Sequence, residues 1–286
     1  MSKLILLIGL PGSGKTTYTR ERMKTDGNTV RINRDSLREM LHFNIWSGPK
    51  EAQTKDAAKI LAEFFLDNNI NVIVDDTNLN DQVVQSWKTL ARIHDVNIEY
   101  VKMDTLIEEC IERDSKREKK VGKAVILEMA MMAGIWKPKN EKGIIIVDID
   151  GTIADCENRK HYLLGEKKNW DGFYSEIEKD SPRLDVIAQV DEYRKKGHPI
   201  ILVSGRPGNY REATEKWLDK HGFEYDVLLM RRAGDKRPDT EVKKEIYDKC
   251  LKKYEIECVF DDRPRIINMW KEQGLKVFDV GNQIEF

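Results

Sequence analysis

Gly9-Leu-Pro-Gly-Ser-Gly-Lys-Thr16 constrains this chain more than any other stretch, because it demands a strand, a tight turn and a helix in that order. An apolar run, Leu4 to Ile8, precedes it, and a polar segment of helical character, Thr16 to Met23, follows. The stretch therefore fits G-x-x-x-x-G-K-[ST] in the setting that pattern requires. Residues Gly9, Pro11, Gly12, Ser13, Gly14, Lys15, Thr16 and Thr17 are expected to close around phosphate oxygens. The helix N-terminus adds its partial positive charge. Lys15 is placed to reach the β- and γ-phosphates, and Thr16 to offer its hydroxyl to Mg²⁺. The stretch reads as a nucleoside triphosphate site.

A chain of 286 residues suggests about two domains of ~150 residues, each able to bury its own core. Its 49 basic and 50 acidic residues nearly cancel, which excludes a uniformly basic coat for nucleic acid and leaves room only for a local basic groove. Cys110, Cys156, Cys250 and Cys258 form no C-x-x-C pair, so neither a zinc site nor a disulfide framework is indicated. There is no signal-peptide pattern, and no apolar run nears the ~20 residues that span a membrane. The expectation is a soluble protein of a reducing cytoplasm.

Along the first half, Thr29 to Ile32 reads as a strand with Asn33-Arg-Asp35 at its carboxyl end, where open α/β sheets bind ligands. Ser36 to Leu41 reads as a helix, so Arg38 falls on the same side as Asp35. An Asp beside a γ-phosphate can orient an attacking hydroxyl, and an Arg one turn away can hold a second phosphate. A helix-capping Asp with a solvated Arg fits the same spacing. His42, Phe43, Asn44 and Trp46 form an irregular aromatic stretch, read as packing in preference to base stacking. A helix over 50–67 and a strand over 70–74 lead to Asp75-Asp76-Thr77-Asn78, where a carboxylate could orient Mg²⁺ or the acceptor arginine. A helix over 81–95 and a strand over 98–103 follow. The segment 105–120 reads as one helix ending in basic residues. Arg113 and Arg117 are either a solvated face or a lid clamping the transferring phosphate; the P-loop favours the lid. A helix over 125–136 and a linker over 137–142 close this half.

The second half starts again with an apolar strand, 144–147, running into Asp148-Ile-Asp-Gly-Thr152. Residues two apart in a strand point the same way. Asp148 can attack phosphorus to give an aspartyl phosphate, and Asp150 can protonate the leaving alkoxide and then deprotonate the hydrolytic water. Gly151 permits the turn. A strand over 200–203 ends in Ser204-Gly205-Arg206, whose hydroxyl can donate to a phosphate oxygen. Lys243, at a helix start, can neutralise the phosphate and Asp148. A strand over 258–260 ends in Asp261-Asp262, hard oxygen ligands suited to Mg²⁺ alongside Asp148 and Asp150. The insertion from Asp155 to Pro182 carries Arg159, His161, Trp170, Phe173 and Tyr174. It is too short for a large cap, which suits a polymer end. Arg159 either touches substrate or is solvated.

With these motifs in order, the chain resembles the phage-type polynucleotide 5′-kinase/3′-phosphatases along most of its length. The carrying residues are Gly9 to Thr16, Asn33-Arg-Asp35 with Arg38, Asp76-Thr-Asn78 and Arg113-Asp-Ser-Lys-Arg117, then Asp148-x-Asp150-Gly-Thr, Arg159, Ser204-Gly-Arg206, Asp239, Lys243 and Asp261-Asp262. The resemblance implies an α/β fold of two domains, each a mainly parallel sheet flanked by helices. A P-loop kinase with a helical lid would occupy residues 1–138, and a haloacid-dehalogenase-like Rossmannoid phosphatase residues 139–286. It further implies that Lys15, Thr16 and Arg117 serve the phosphates of ATP, and that Asp35 is the general base on a 5′-hydroxyl. Arg38, supported by Asp76, would grip the 3′-phosphate of the acceptor nucleotide. Arg159, Arg206 and Asp239 would act around the phosphatase substrate.

Homotetramers that heal RNA or DNA ends beside an RNA ligase are implied too, in the host cytoplasm if a phage encodes the chain. Two other readings are a small-molecule nucleoside kinase fused to a nucleotidase and a non-catalytic scaffold that binds nucleic-acid ends.

Overall fold

The computed structural model describes residues 2–164 and 167–281. The chain forms two compact units, Met1–Ala133 and Gly134–Phe286. No helix among the described residues is long and apolar enough to cross a membrane.

The first unit runs β1 (Lys3–Ile8), α1 (Lys15–Thr25), β2 (Thr29–Ile32), α2 (Arg34–His42), α3 (Gly48–Asp67), β3 (Asn71–Val74), α4 (Asp81–Ile93), β4 (Asn97–Lys102), α5 (Ile107–Ser115) and α6 (Lys123–Met132). Its four strands are parallel in the order β2-β3-β1-β4. A strand covered on both faces needs a run of apolar residues, and β1 supplies one from Leu4 to Ile8 after the exposed Lys3. Leu4 and Leu6 point into one core with Val72, Val74 and Trp87, while Ile5 and Leu7 point into the other with Ile73. The crossover between β1 and its two neighbours leaves the Gly9–Thr16 loop at the carboxyl end of the sheet, the place where such folds bind ligands.

The second unit runs β5 (Ile144–Val147), β6 (Ala154–Asp155), a 3₁₀ turn (Glu157–Leu163), α7 (Trp170–Ser175), β7 (Ser181–Pro182), α8 (Leu184–Lys195), β8 (Ile200–Pro207), α9 (Arg211–Lys220), β9 (Val227–Arg231), α10 (Asp239–Ile246), β10 (Ile256–Asp261), α11 (Pro264–Glu272) and β11 (Val277–Asp279). Five parallel strands take the order β11-β10-β5-β8-β9, and β6 pairs with β7 antiparallel, closing the insertion at its base. β5 lies between β10 and β8, with Val147 level with Phe260 and Leu202. The strand ends carrying Asp148, Asp261 and Ser204 are thereby brought side by side.

Both units are the mainly parallel sheets flanked by helices expected from the sequence. Two local expectations change. The helix read over 105–120 stops at Ser115. The buried Asp114 carboxylate accepts from the backbone N–H of Val121 and Gly122, which folds the basic run back as a loop. The 42–46 stretch is not packed: Phe43, Ile45 and Trp46 are exposed, and Phe43 adopts a left-handed conformation at the end of α2.

Candidate functional site

In the first unit the phosphate loop is folded onto its own lysine. Lys15 Nζ donates to the carbonyls of Gly9 (2.9 Å) and Leu10 (2.6 Å), and burial pushes its ammonium down to about 8 despite Asp75 nearby. An anionic phosphate bound there would have to replace those carbonyls, and its charge would favour the protonated amine. Gly12, at φ +84°, must be glycine, since a Cβ there would lie 2.3 Å from the Cys110 carbonyl oxygen. A cavity of about 470 Å³ opens beside the loop, lined by Gly12, Gly14, Thr17, Tyr18, Glu21, Arg113 and Arg117. Arg113 and Arg117, expected to form a lid, both face the cavity beside the loop, although only Arg113 lies in a helix. Arg113 also donates to Glu109 (2.5 Å).

The acceptor residues stand apart from that cavity's walls. Asn33 caps α2, its side chain accepting from Ser36 N–H, so Asp35 is not the cap. Asp35 is exposed and pairs with Arg38 (2.6 Å), which also donates twice to Glu51 (3.0 and 2.9 Å). Asp76 pairs with Arg34 (2.6 Å), where the resemblance implied Arg38. Asp75, its neighbour, accepts from the Thr16 hydroxyl (3.0 Å) and from Arg31 (2.6 Å). Glu51, Arg34 and Arg31 went unassigned in the sequence, because each reaches its partner across the tertiary fold.

The second unit gathers a denser cluster. Lys243 Nζ sits 2.8 Å from Asp148 Oδ1 and 2.8 Å from Asp261 Oδ2. Asp148, Asp261 and Asp262 each offer an oxygen within 4.8 Å of the others, and all three are buried. Burial raises the Asp148 carboxyl to about 8 and that of Asp262 to about 6, with neighbouring carboxylates adding to both. Such crowding of like charge suits a divalent cation taken by hard oxygens. Asp150 stands outside this oxygen cluster, although the sequence pattern grouped it there. Its carboxylate is held by Arg206 (2.6 Å) and by Arg159, both fully buried, which also grip Asp180. Burial alone would raise the Asp150 carboxyl, but the Arg206 and Arg159 guanidiniums outweigh it and hold the group well below the usual carboxylate range. As it stands, Asp150 is an ionised base.

Around this core, Ser204 is buried and its Oγ accepts from Arg206 N–H (3.2 Å). Gly205 backs onto Asp239, which is gripped by Arg231 and by Arg263 (2.7 Å). The Trp270 indole donates to Asp261 (3.2 Å). Asp180, Arg231, Arg263 and Trp270 carry no local motif, so nothing in the sequence signalled them.

A phosphate-binding loop on one parallel sheet, and an acidic, cation-ready centre on another, define a two-domain protein of phosphate chemistry. Residues 142–284 match the family described as the polynucleotide kinase PNKP phosphatase domain, and residues 4–133 match an AAA domain. The chain belongs to that polynucleotide kinase phosphatase family, with an AAA-type domain ahead of it; nucleotide and divalent-metal use in general comes with the two domains. It is 32% identical, over 98% of its length and 42% of the other, to a protein of Autographa californica nuclear polyhedrosis virus named as a bifunctional polynucleotide kinase/RNA ligase. It is 28% identical to an L-seryl-tRNA(Sec) kinase of Methanococcus maripaludis, over 44% of this chain and 50% of that protein. The chain thus spans about half the length of these curated relatives or less. A solved Pnkp1/Rnl/Hen1 RNA repair complex contains a chain 28% identical, with 98% of this chain and 97% of that one covered, at a TM-score of 0.43.

Proposed function

We propose that this chain heals broken nucleic-acid ends with two activities. Residues 1–138 transfer the γ-phosphate of ATP to a 5′-hydroxyl of RNA or DNA, and residues 139–286 remove a 3′-phosphate. The observation that carries this reading is the pairing, in one chain, of the Lys15 phosphate loop with a PNKP-type phosphatase centre built on Asp148.

In the kinase unit Lys15, Arg113 and Arg117 bind the donor phosphates, and Asp35 accepts the proton of the 5′-hydroxyl. Arg38, held by Glu51, grips a phosphate of the acceptor. Thr16 and Asp75 are the oxygens that would hold Mg²⁺ there. In the phosphatase unit Asp148 attacks phosphorus while Lys243 and Ser204 steady the phosphate. Bound beside Asp148, Asp261 and Asp262, Mg²⁺ would offset the charge that builds on the phosphoryl oxygens. When a substrate phosphate draws Arg159 and Arg206 toward itself, Asp150 is released and takes up a proton from solvent. It gives that proton to the leaving 3′-oxygen, then takes one from the water that opens the aspartyl phosphate. Asp239 holds Arg231 and Arg263 at the rim. Work beside an RNA ligase fits the name of the viral relative, and a homo-oligomer, a tetramer, is what the family resemblance implies.

The test uses an oligonucleotide carrying a 5′-hydroxyl and a 3′-phosphate. Without ATP and with Mg²⁺ its mass should fall by one phosphate; with ATP the mass should return, fragmentation placing the phosphate at the 5′ end. Lys15→Ala should abolish only the return and Asp148→Ala only the fall, each by at least ~10²-fold. Phosphorylation of free nucleosides with no reaction of the oligonucleotide would refute the substrate assignment.

A further inference from the structure

The insertion between β6 and β7 builds a row of aromatic rings beside the phosphatase centre. Trp170 lies nearly parallel to Tyr174, with ring centroids 5.9 Å apart, and Tyr174 leans on Tyr210 at 5.3 Å. Phe173 closes the back of the row, edge-on to both Trp170 and Tyr174, with the Arg159 guanidinium 4.0 Å from its ring.

The two ends of this row are chemically different. At the inner end Tyr174 is 8% exposed, and its hydroxyl lies in the field of Asp150, Asp239, Arg263 and Arg231. Burial pushes that phenol above its ordinary range, and no described residue forms a hydrogen bond to it. At the outer end the Trp170 indole is 39% exposed, with the Lys168 ammonium 5.9 Å from its ring. A packing cluster has no need to finish in an open indole, nor to set a phenol hydroxyl among two carboxylates and two guanidiniums. A row running from the phosphate centre to solvent suits a ligand that is charged at one end and flat at the other.

We propose that this row recognises the terminal nucleoside of the phosphatase substrate: Trp170 stacks on its base and the Tyr174 hydroxyl donates to its sugar–phosphate. The proposal rests on the polynucleotide 3′-phosphatase reading above. Stacking of this kind tolerates any base, since every base has a π-face. Lys168 then sits where the next phosphodiester would pass.

The test compares two 3′-phosphorylated oligonucleotides that differ only in whether the terminal residue carries a base or is abasic. The wild-type chain should favour the base-bearing one about tenfold in kcat/KM, mostly through KM. Trp170→Ala should erase that preference, and Trp170→Phe should keep most of it. Tyr174→Phe should slow both substrates alike, because both share the sugar–phosphate. A wild type without preference, or a preference that survives Trp170→Ala, overturns the proposal. Should the wild type hydrolyse glycerol phosphate but neither oligonucleotide, the polynucleotide reading itself falls and takes this proposal with it.

Discussion

At the scale of single residues, Gly151 has no room for a side chain. With φ at +81°, a Cβ there would lie 2.0 Å from Asp262 Oδ2. Gly151→Ala should therefore cost at least about 1 kcal/mol in stability from the left-handed backbone. It should also displace the Asp262 carboxylate and slow 3′-dephosphorylation by ~10²-fold. Thermal unfolding and initial rates measure the two effects separately; an unchanged rate would remove Asp262 from the working centre. The Asp148–Lys243–Asp261 chain shows the same economy of space, one buried ammonium 2.8 Å from each of two carboxylates. Breaking such a buried pair from one side leaves an uncompensated charge, and so Asp148 variants should be judged with the fold monitored.

At the scale of elements, the stop of α5 decides how the segment bearing Arg117, the proposed lid, is made. Asp114 is buried and accepts from Val121 and Gly122 N–H, so the loop bearing Arg117 hangs from one carboxylate. Asp114→Ala should destabilise the chain by about 1–3 kcal/mol, since it strands two backbone donors. It should raise the KM for ATP more than it lowers kcat, because the clamp is loosened while the chemistry is kept. Denaturant midpoints and kinase steady-state rates check this; an unaltered KM would place Arg117 outside the donor site. Helical periodicity alone suggested an unbroken helix here, because a four-residue spacing of Arg113 and Arg117 fits a helix face. The contact that folds the chain back after the helix comes from a side chain whose burial no local pattern reports.

At the scale of the whole molecule, near-neutrality limits how nucleic acid is held on the proposed reading. With 49 basic and 50 acidic residues a uniform cationic coat is excluded, and the proposed reading has ends gripped by a few charges such as Arg38 and Arg263. The KM for an oligonucleotide should then climb with salt at a log–log slope of about 1–2, against roughly 4–7 for a protein that coats single strands over 6–10 phosphates. A steep slope would mean a long binding track that these residues do not supply.

The sequence alone determined the two parallel sheets, the order of their chemistry and the two phosphate-handling motifs. Those features are local: a glycine loop after a buried strand, or Asp148 and Asp150 two apart, is fixed by neighbours in the chain and by strand alternation. Only the tertiary structure decided who holds whom. Arg34 meets Asp76 across 42 residues, Asp180 gathers both Arg159 and Arg206, and Arg263 reaches back to Asp239. It also decided that Phe43 and Trp46 stay exposed while Phe173 is buried and Tyr174 nearly so. Charge pairing and burial depend on which distant strands and helices converge in space, and pairs so far apart leave no periodicity for a sequence to display.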